Sequence, residues 1–191
     1  MDIKYFPISG SGANCYLVKT QEAAIVIYPF QVDGRIITFF NENKNLKKYI
    51  LLTHCHFDHI LGADELRELF GAEIIIGILD EAGLVDESIS LSAWVGLEQK
   101  PFYADLCVEE GTVLNLGGTE FKAIHTPGHT IGSMCYIAED VIFTGDTIFE
   151  NSIGRTDFPT GDYPTLVRSL KRIKELKFSY KNFEATISVQ Q

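Results

Sequence analysis

The sequence is poor in the features that mark secreted, membrane-embedded and disulfide-rich proteins. Its four cysteines are scattered singly, without the paired spacing of a zinc knuckle, which indicates reduced thiols in a cytoplasmic protein. No apolar run approaches the length of a transmembrane helix, and Met1 to Phe6 lack the basic start and apolar core of a signal peptide. We therefore expect a cytoplasmic location and no membrane partner.

Positive charge is scarce as well. The chain has 16 lysines and arginines against 26 aspartates and glutamates, a formal net charge of -10, and an isoelectric point near 4.9. A protein that binds a nucleic-acid backbone normally carries a basic face, so nucleic acid is not an expected partner. One basic cluster is interleaved with leucine and isoleucine at helical spacing, which predicts the solvated face of an amphipathic helix. Its members are Arg168, Lys171, Arg172, Lys174, Lys177 and Lys181.

The composition nevertheless leaves ample apolar material for a core. With 191 residues, 46% hydrophobic content and a mean hydropathy of +0.06, we expect one globular domain over residues 1–191. Strands are predicted over 13–19, 23–28, 48–53, 72–76, 111–116, 119–125, 134–137 and 141–143, with a hairpin turn at 117–118, and helices through 36–40, 64–70 and 163–176. Residues 79–100 are expected to be helical or irregular. Mixed strands with interspersed helices predict an α/β or α+β layered fold.

Histidine is rare in the chain but concentrated. Three of the five histidines lie in the segment His54-Cys55-His56-Phe57-Asp58-His59, directly after a predicted strand. If the chain turns there, His54 and His56 can point into one cavity, whereas Cys55 faces away and is expected to be a small buried thiol. Packing explains such a cluster poorly, and a metal-ligand loop explains it well.

Two further strand ends carry residue types that bind metals. His129 lies in the turn sequence Thr126-Pro127-Gly128-His129-Thr130, and Asp146 follows the apolar run that ends at Phe143. Histidine nitrogen and carboxylate oxygen are the donors of catalytic zinc sites, which take ligands from separate parts of a chain. The same donors suit iron and manganese, so the sequence does not select the metal. His125 is expected to be a strand residue beside the cleft.

Together these motifs resemble the metallo-β-lactamase superfamily. The pattern is His-x-His-x-Asp-His at 54–59, then Pro-Gly-His ending at His129, then Gly-Asp ending at Asp146. Within that superfamily the chain is similar to the small glyoxalase II (hydroxyacylglutathione hydrolase) type, without that enzyme's extra C-terminal helical domain, and residues 152–163 support this placement. The resemblance, which runs from about residue 14 to 176, implies a four-layer αβ/βα sandwich with the metals at one edge of two packed sheets.

The resemblance also implies site residues and a reaction. The implied first-metal ligands are His54, His56 and His129, the second-metal ligands are Asp58 and His59, and the bridging ligand is Asp146. The expected cofactor is zinc, as one or two ions, with iron or manganese as alternatives. A metal-bound hydroxide would hydrolyse a small acyl-thioester, with Asp58 and Asp146 as the catalytic carboxylates. Arg155 lies where the family carries a basic substrate contact and could grip a substrate carboxylate.

Two departures from the family pattern concern the second metal. That metal normally receives another histidine from a Gly-His-Gly-like turn after the last helix, and this sequence has no histidine beyond His129. Glu184 is the acidic residue of the segment 178–191, and nothing in its spacing marks it as a ligand. The usual Asp-Pro-Gly after the third strand is replaced by Tyr28-Pro29-Phe30, which removes a carboxylate expected near the metal loop. Both departures count against full hydrolase activity, and neither touches the first-metal ligands.

Two alternatives to a thioester hydrolase stay open. The persulfide dioxygenases of the same superfamily use a single iron, for which His54, His129 and Asp146 are the matching positions, and they do not need the missing histidine. The other alternative is a family member impaired by the loss of that histidine. A secreted β-lactamase and a processing nuclease fit less well, because no export signal is present and the chain is acidic. The expected partner is a small-molecule substrate, and a homo-oligomer stays open.

Several of these residues also have plain structural interpretations. Asp58 could be the N-cap of the following helix, and Arg155 could pair with Asp157. The loop histidines could belong to a polar loop satisfied by hydrogen bonds, but the separate His129 and Asp146 count against it. The aromatic residues Trp94, Phe102 and Tyr103 could line a substrate cleft, but packing in the core or in a cover is the expectation.

Overall fold

Two β-sheets packed face to face form the centre of the molecule. The computed structural model describes residues 1–7, 14–179 and 184–186. The strands of the first sheet are β1 (Asp2–Pro7), β2 (Asn14–Lys19), β3 (Ala23–Ile27), β4 (Lys47–Leu51), β5 (Glu73–Gly77) and β6 (Leu106–Val108). They lie side by side in chain order, antiparallel from β1 to β3 and parallel from β3 to β6.

The second sheet follows in the chain. Its described strands are β7 (Val113–Leu116), β8 (Thr119–His125), β9 (Met134–Ala138), β10 (Val141–Phe143) and β11 (Glu184–Thr186). They lie in the order β11-β10-β9-β8-β7, and each neighbouring pair is antiparallel except β10 with β11. The hairpin turn predicted at Gly117-Gly118 is confirmed, and both glycines have the positive φ that such turns require.

Helices cover the outer faces of the sheets. The described α-helices are α1 (Gly34–Glu42), α2 (Phe57–Ile60), α3 (Ala63–Phe70) and α4 (Tyr163–Ser179), and 3₁₀ turns occupy Ile78–Leu84, Ser92–Val95 and Gly145–Thr147. In α4, Leu166 and Ile173 are buried while Arg168 and Lys174 are exposed, which confirms the amphipathic helix; the side chains of Lys177 and Lys181 lie outside the described residues. Among the described residues, no helix has both the length and the apolar character that crossing a bilayer requires.

Alternation along the strands produces the four layers. In β3, Ala24 and Val26 face a core shared with α1 and α3, whereas Ile25 and Ile27 face the second sheet. On the far side of the second sheet, Ile173 of α4 packs against apolar side chains of that sheet that point away from the first sheet. The order helices, sheet, sheet, helix is the sandwich that the resemblance implies, and the α/β prediction is confirmed.

The sequence prediction missed the short and edge elements. The strands β1, β6 and β11 and the helix α2 were not predicted, because they depend on pairing partners or tight turns more than on a repeating pattern of apolar residues. The strand predicted over 23–28 ends at Ile27, since Tyr28 has a left-handed φ of 64°. The strand predicted over 48–53 likewise ends at Leu51, which leaves Thr53 in the loop before the histidines.

Candidate metal centre

Three loops meet at one edge of the sandwich and carry the predicted ligands. The first follows β4, the second follows β8, and the third is the 3₁₀ turn after β10. The first two are joined where the Met134 N–H donates to the Thr53 carbonyl at 2.8 Å. The Tyr136 hydroxyl reaches across from the second sheet and donates to the Leu52 carbonyl at 3.0 Å. Pairing between the sheets therefore places the histidine loop beside the turn that holds His129.

The three histidines predicted for the first metal lie together. One ring nitrogen from each of His54, His56 and His129 lies within 4.8 Å of the others, and all three rings are buried. His56 Nδ1 and His129 Nε2 are 2.9 Å apart. His129 Nδ1 lies 2.7 Å from the Arg155 carbonyl, so its N–H can donate there and leave Nε2 free for the cluster. The Thr53 hydroxyl lies 3.2 Å from His54 Nδ1 and orients that ring in the same way.

The carboxylate of Asp146 lies between the two halves of the centre. Its Oδ1 is 3.3 Å from His59 Nε2, and its Oδ2 is 3.6 Å from His129 Nε2. One oxygen thus faces each histidine, as expected for a bridging ligand. His54, His59 and Asp146 form a second cluster of donor atoms within 4.8 Å, so His54 belongs to both clusters.

Asp58 lies at the margin of the second cluster. Its Oδ2 is 3.5 Å from His59 Nε2, and its side chain is 20% exposed. The N-cap interpretation is wrong, because α2 begins at Phe57 with His56 in the cap position, and α3 begins after Gly62. Asp58 instead occupies the first turn of α2, where the helix dipole favours a carboxylate.

The histidines of the two clusters have opposite protonation preferences. Burial lowers the pKa values of His54 and His56 well below the ordinary value, and the neighbouring imidazoles lower them further. Burial also disfavours the charged form of His59, but the carboxylates of Asp58 and Asp146 outweigh it and raise its pKa to about 10. His54 and His56 are therefore held in the neutral form that coordinates metals, whereas His59 holds a proton in the metal-free protein.

Several of the buried donor atoms have no hydrogen-bond partner in the described part of the protein, as expected for atoms that bind a metal. His54 Nε2, His56 Nε2 and both ring nitrogens of His59 are buried and have no hydrogen-bond partner among the described residues. An unsatisfied buried polar group costs about 1–3 kcal/mol. A divalent metal would satisfy the lone pairs of His54 and His56, and it could also bind His59 once that ring has lost its proton. Nitrogen with carboxylate oxygen suits zinc, iron and manganese alike.

Asp80 supports the centre, and the sequence prediction missed it. Its carboxylate is buried and accepts hydrogen bonds from the Cys55 N–H (3.1 Å), the Thr130 hydroxyl (2.7 Å) and the Gly132 N–H (2.7 Å). It thereby links the histidine loop to the turn after His129. No local signal could have found it, because its three partners are distant in the chain and it lies in a stretch without a clear pattern.

Tyr28 stands where the resemblance predicts a carboxylate. Its side chain is buried, and its hydroxyl accepts the Gly145 N–H at 2.7 Å, next to Asp146. Its ring lies edge-on to His59 with 4.9 Å between the centroids. A neutral phenol therefore holds the backbone beside the bridging aspartate.

The centre opens into a cleft of about 440 Å³. Arg155 lines it and also makes the predicted pair with Asp157, so its position fits both interpretations. Trp94 is 62% exposed and lines the cleft, so the expectation of core or cover packing is wrong for it and the alternative of a cleft position is right. Phe102 is buried in the core as expected, and Tyr103 is 66% exposed.

The remaining sequence predictions for single residues have separate outcomes. His125 ends β8, and its Nε2 lies 2.8 Å from the Ile131 carbonyl, outside both donor clusters, which confirms the strand assignment. Cys55 is a fully buried thiol that packs in the first core, as predicted. The side chain of Glu184 lies outside the described residues.

Comparison with known proteins agrees with this geometry. The model of the family described as "Metallo-beta-lactamase superfamily" matches residues 8–180. "Hydroxyacylglutathione hydrolase GloC" of Haemophilus influenzae is 38% identical over 177 residues, which cover 90% of this chain and 83% of that protein. The crystal structure of BLEG-1 B3 metallo-beta-lactamase superposes with a TM-score of 0.82 at 30% identity, covering 89% of this chain and 84% of that one. The crystal structure of TTHA1623 in a di-iron-bound form superposes with a TM-score of 0.78 at 30% identity, covering 91% of this chain and 86% of that one.

Proposed function

Because the chain belongs to the metallo-β-lactamase superfamily, we propose that it is a metal-dependent hydrolase of a small acyl-thioester. The observation that carries the proposal is the Asp146 carboxylate, which faces His59 and His129 at the base of an open cleft. The side chains of such a centre can bind a metal on one side, and the open cleft leaves the other side of the metal accessible to a substrate. The similarity to a hydroxyacylglutathione hydrolase supports a thioester as the bond that is cleaved.

The residues of the centre have distinct roles in this proposal. A metal bound by His54, His56 and His129 would supply Lewis acidity, by polarising a carbonyl and lowering the pKa of water towards neutrality. The Arg155 carbonyl and the Thr53 hydroxyl hold two of these imidazoles in their orientations. Asp146 balances positive charge between the clusters and can accept a proton or a hydrogen bond at the reacting end of the cleft. The leaving thiolate needs little protonation, so no separate general acid is required.

Metal analysis combined with a thioester assay tests the proposal. Purified protein is analysed for metal identity and stoichiometry, then assayed with a panel of acyl-thioesters beside His54→Ala and the control His125→Gln. We expect metal-dependent hydrolysis that His54→Ala abolishes and His125→Gln retains, because His54 belongs to both clusters and His125 to neither. A metal-loaded protein that leaves every thioester intact, with His54→Ala making no difference, would refute the proposal.

The donor set also favours one alternative. His54, His129 and Asp146, the positions that match a single-iron dioxygenase, all lie in the centre. One iron per chain with oxygen uptake on a thiol persulfide would establish this alternative. Metal below one equivalent, with no turnover of either substrate class, would instead indicate an impaired member.

A further inference from the structure

The cleft above the candidate metal centre has mostly apolar walls. Twelve of the described residues line it, and seven of these are apolar: Phe57, Leu91, Trp94, Val95, Phe149, Ile153 and Phe158. Three of them remain open to solvent, with exposed fractions of 62% for Trp94, 54% for Val95 and 38% for Ile153. Apolar side chains exposed around a concave site are the usual signature of a surface that a ligand covers.

An aromatic path leads from solvent to the metal ligands. The Trp94 ring meets the Phe158 ring edge-on at 5.9 Å, and Phe158 meets the imidazole of His56 at 5.7 Å. An acyl chain lying along this wall would bury apolar surface from the rim of the cleft to its base.

The charge of the cleft complements the apolar wall. Arg155 is the only arginine or lysine among the described residues that line it, and the carboxylates of Asp58 and Asp146 face His59 in the metal centre, where bound metal would offset their charge. The guanidinium is already engaged: its Nε and Nη2 each donate to Asp157 at 2.7 Å, and its Cζ lies 3.9 Å above the Phe158 ring. Asp157 therefore competes with a substrate carboxylate for this guanidinium.

We infer that the cleft selects thioesters with an apolar acyl group and a thiol that carries no net negative charge. This inference rests on the proposed hydrolase function and narrows its substrate class. Glutathione thioesters carry two carboxylates and one ammonium group, a net negative charge, and the arginine that lines the cleft is already paired with Asp157. A thioester of a neutral thiol, such as N-acetylcysteamine, needs no cationic partner.

A matched set of substrates tests the inference in the metal-loaded protein. Acetyl and hexanoyl thioesters are each made on N-acetylcysteamine and on glutathione, and kcat/KM is measured for all four. We expect the neutral thiol to be preferred for both acyl groups, and kcat/KM to rise by up to about fourfold for each methylene that the cleft buries. A preference for the glutathione thioesters, or for acetyl over hexanoyl, overturns the inference and leaves the hydrolase proposal standing.

Two variants test the walls and the charge separately. Trp94→Ala should lower kcat/KM for the hexanoyl substrate more than for the acetyl substrate, while Tyr103→Ala, which removes an equally exposed ring outside the cleft, should not.

Asp157→Asn frees Arg155 and should raise kcat/KM for glutathione thioesters by about three- to fivefold. Asp86→Asn removes the same charge from an exposed residue outside the cleft, and it should leave kcat/KM for glutathione thioesters unchanged. Equal effects of each variant and its control would contradict the inference.

A binding measurement keeps the inference testable without turnover. Trp94 is the chain's only tryptophan, so its fluorescence reports ligands in the cleft. Metal-loaded protein is titrated with the thioethers S-hexyl-N-acetylcysteamine and S-hexylglutathione, which cannot be hydrolysed. Tighter binding of the neutral thioether supports the inference, and equal or tighter binding of the glutathione thioether overturns it. If no thioester is hydrolysed, the hydrolase proposal fails by itself and the titration still decides the charge preference.

Discussion

A single phenol supports the loop that carries Asp146. The Tyr28 hydroxyl accepts the Gly145 N–H, and its ring packs edge-on against His59, so one side chain contacts both sides of the second cluster. Burial raises the pKa of Tyr28 well above its ordinary value and keeps the phenol neutral. The centre therefore has a neutral hydrogen-bond acceptor here in place of an anionic one, which reduces the negative charge available to a second metal.

Tyr28→Phe should weaken metal binding more than it disturbs the fold. Losing the hydroxyl removes an acceptor of the buried Gly145 N–H, at a cost of about 1 kcal/mol in unfolding free energy. We expect metal affinity to fall by about ten- to a hundredfold, the range for residues that orient ligands. Chemical denaturation and calorimetric metal titration measure the two effects. The control is Tyr5→Phe at an exposed ring, and equal metal affinity in both variants would show that Tyr28 does not position the centre.

His59 predicts a pH dependence of metal binding. Although burial disfavours its charge, Asp58 and Asp146 raise its pKa to about 10, so its imidazole is protonated at neutral pH in the metal-free protein. A ligand must be neutral, so metal binding at this cluster should release about one proton at pH 7, with affinity rising up to about tenfold per pH unit until pH 10. By the same linkage, the attraction between the charged His59 and the carboxylates of Asp58 and Asp146 stabilises the metal-free protein at low pH. This stabilisation should be lost as the pH rises from 6.5 through 10.

Proton release is measured by calorimetric titration in two buffers of different ionisation enthalpy. Burial keeps His54 and His56 neutral at pH 7, so those two ligands should release no proton. His59→Gln should abolish the release. If that variant releases as many protons as the natural sequence, the assignment of the proton to His59 is wrong.

At the scale of elements, the centre depends on how a few loops are tied together. Asp80 lies in the 3₁₀ turn after β5, yet its carboxylate binds the backbone of the histidine loop and of the turn after β8. Gly132 leaves no room for a side chain at that contact, since a Cβ there would lie 2.5 Å from Asp80 Oδ1. Three elements are therefore held in one arrangement by one buried acid.

Asp80→Asn should loosen both loops at once. An amide cannot accept all three hydrogen bonds, so at least one buried donor loses its partner, at a cost of about 1–3 kcal/mol in unfolding free energy. Metal affinity should fall with it, because the loops carry His54, His56 and His129. Denaturation and metal titration are compared with those of Asp86→Asn, an exposed acid whose bonds are local. Unchanged metal affinity in Asp80→Asn would mean that Asp80 supports the fold alone.

At the scale of the whole molecule, the packing of two sheets brings distant residues into one centre. His56 and His129 are 73 positions apart in the chain, and Tyr28 and Gly145 are 117 apart. Each contact closes a long loop, and the apolar faces between the sheets supply the stabilisation that offsets the closure entropy. Metal bound at the edge would then stabilise the entire fold, because the donors converge only in the folded chain.

Metal removal should therefore lower the unfolding temperature. A ligand that binds only the native state, at a thousand times its Kd, contributes about 4 kcal/mol. We expect a chelator to lower the Tm of the natural sequence by several degrees and to have a smaller effect on His54→Ala, which lacks a donor of both clusters. Differential scanning calorimetry with and without chelator measures the shift. The same shift in both proteins would place the stabilising metal elsewhere.

Local pattern was enough to predict much of this protein. Alternation of apolar residues, the hairpin glycines and the spacing of His54, His56 and His59 are properties of neighbouring positions, and they led to the strands, the layered fold and the donor types. The amphipathic α4 followed from its own periodicity, whereas the two packed sheets were expected only from the resemblance to the metallo-β-lactamase superfamily.

Only the tertiary structure decided the supports and walls of the centre. The contacts of Asp80 and Tyr28, the exposure of Trp94, and the position of Asp146 between two histidines each depend on chain segments that are far apart in sequence. Hydrogen bonds and packing between such segments leave no periodic trace in either one. The sequence by itself therefore determined which donors were present, and the packing of the sheets decided which of them meet.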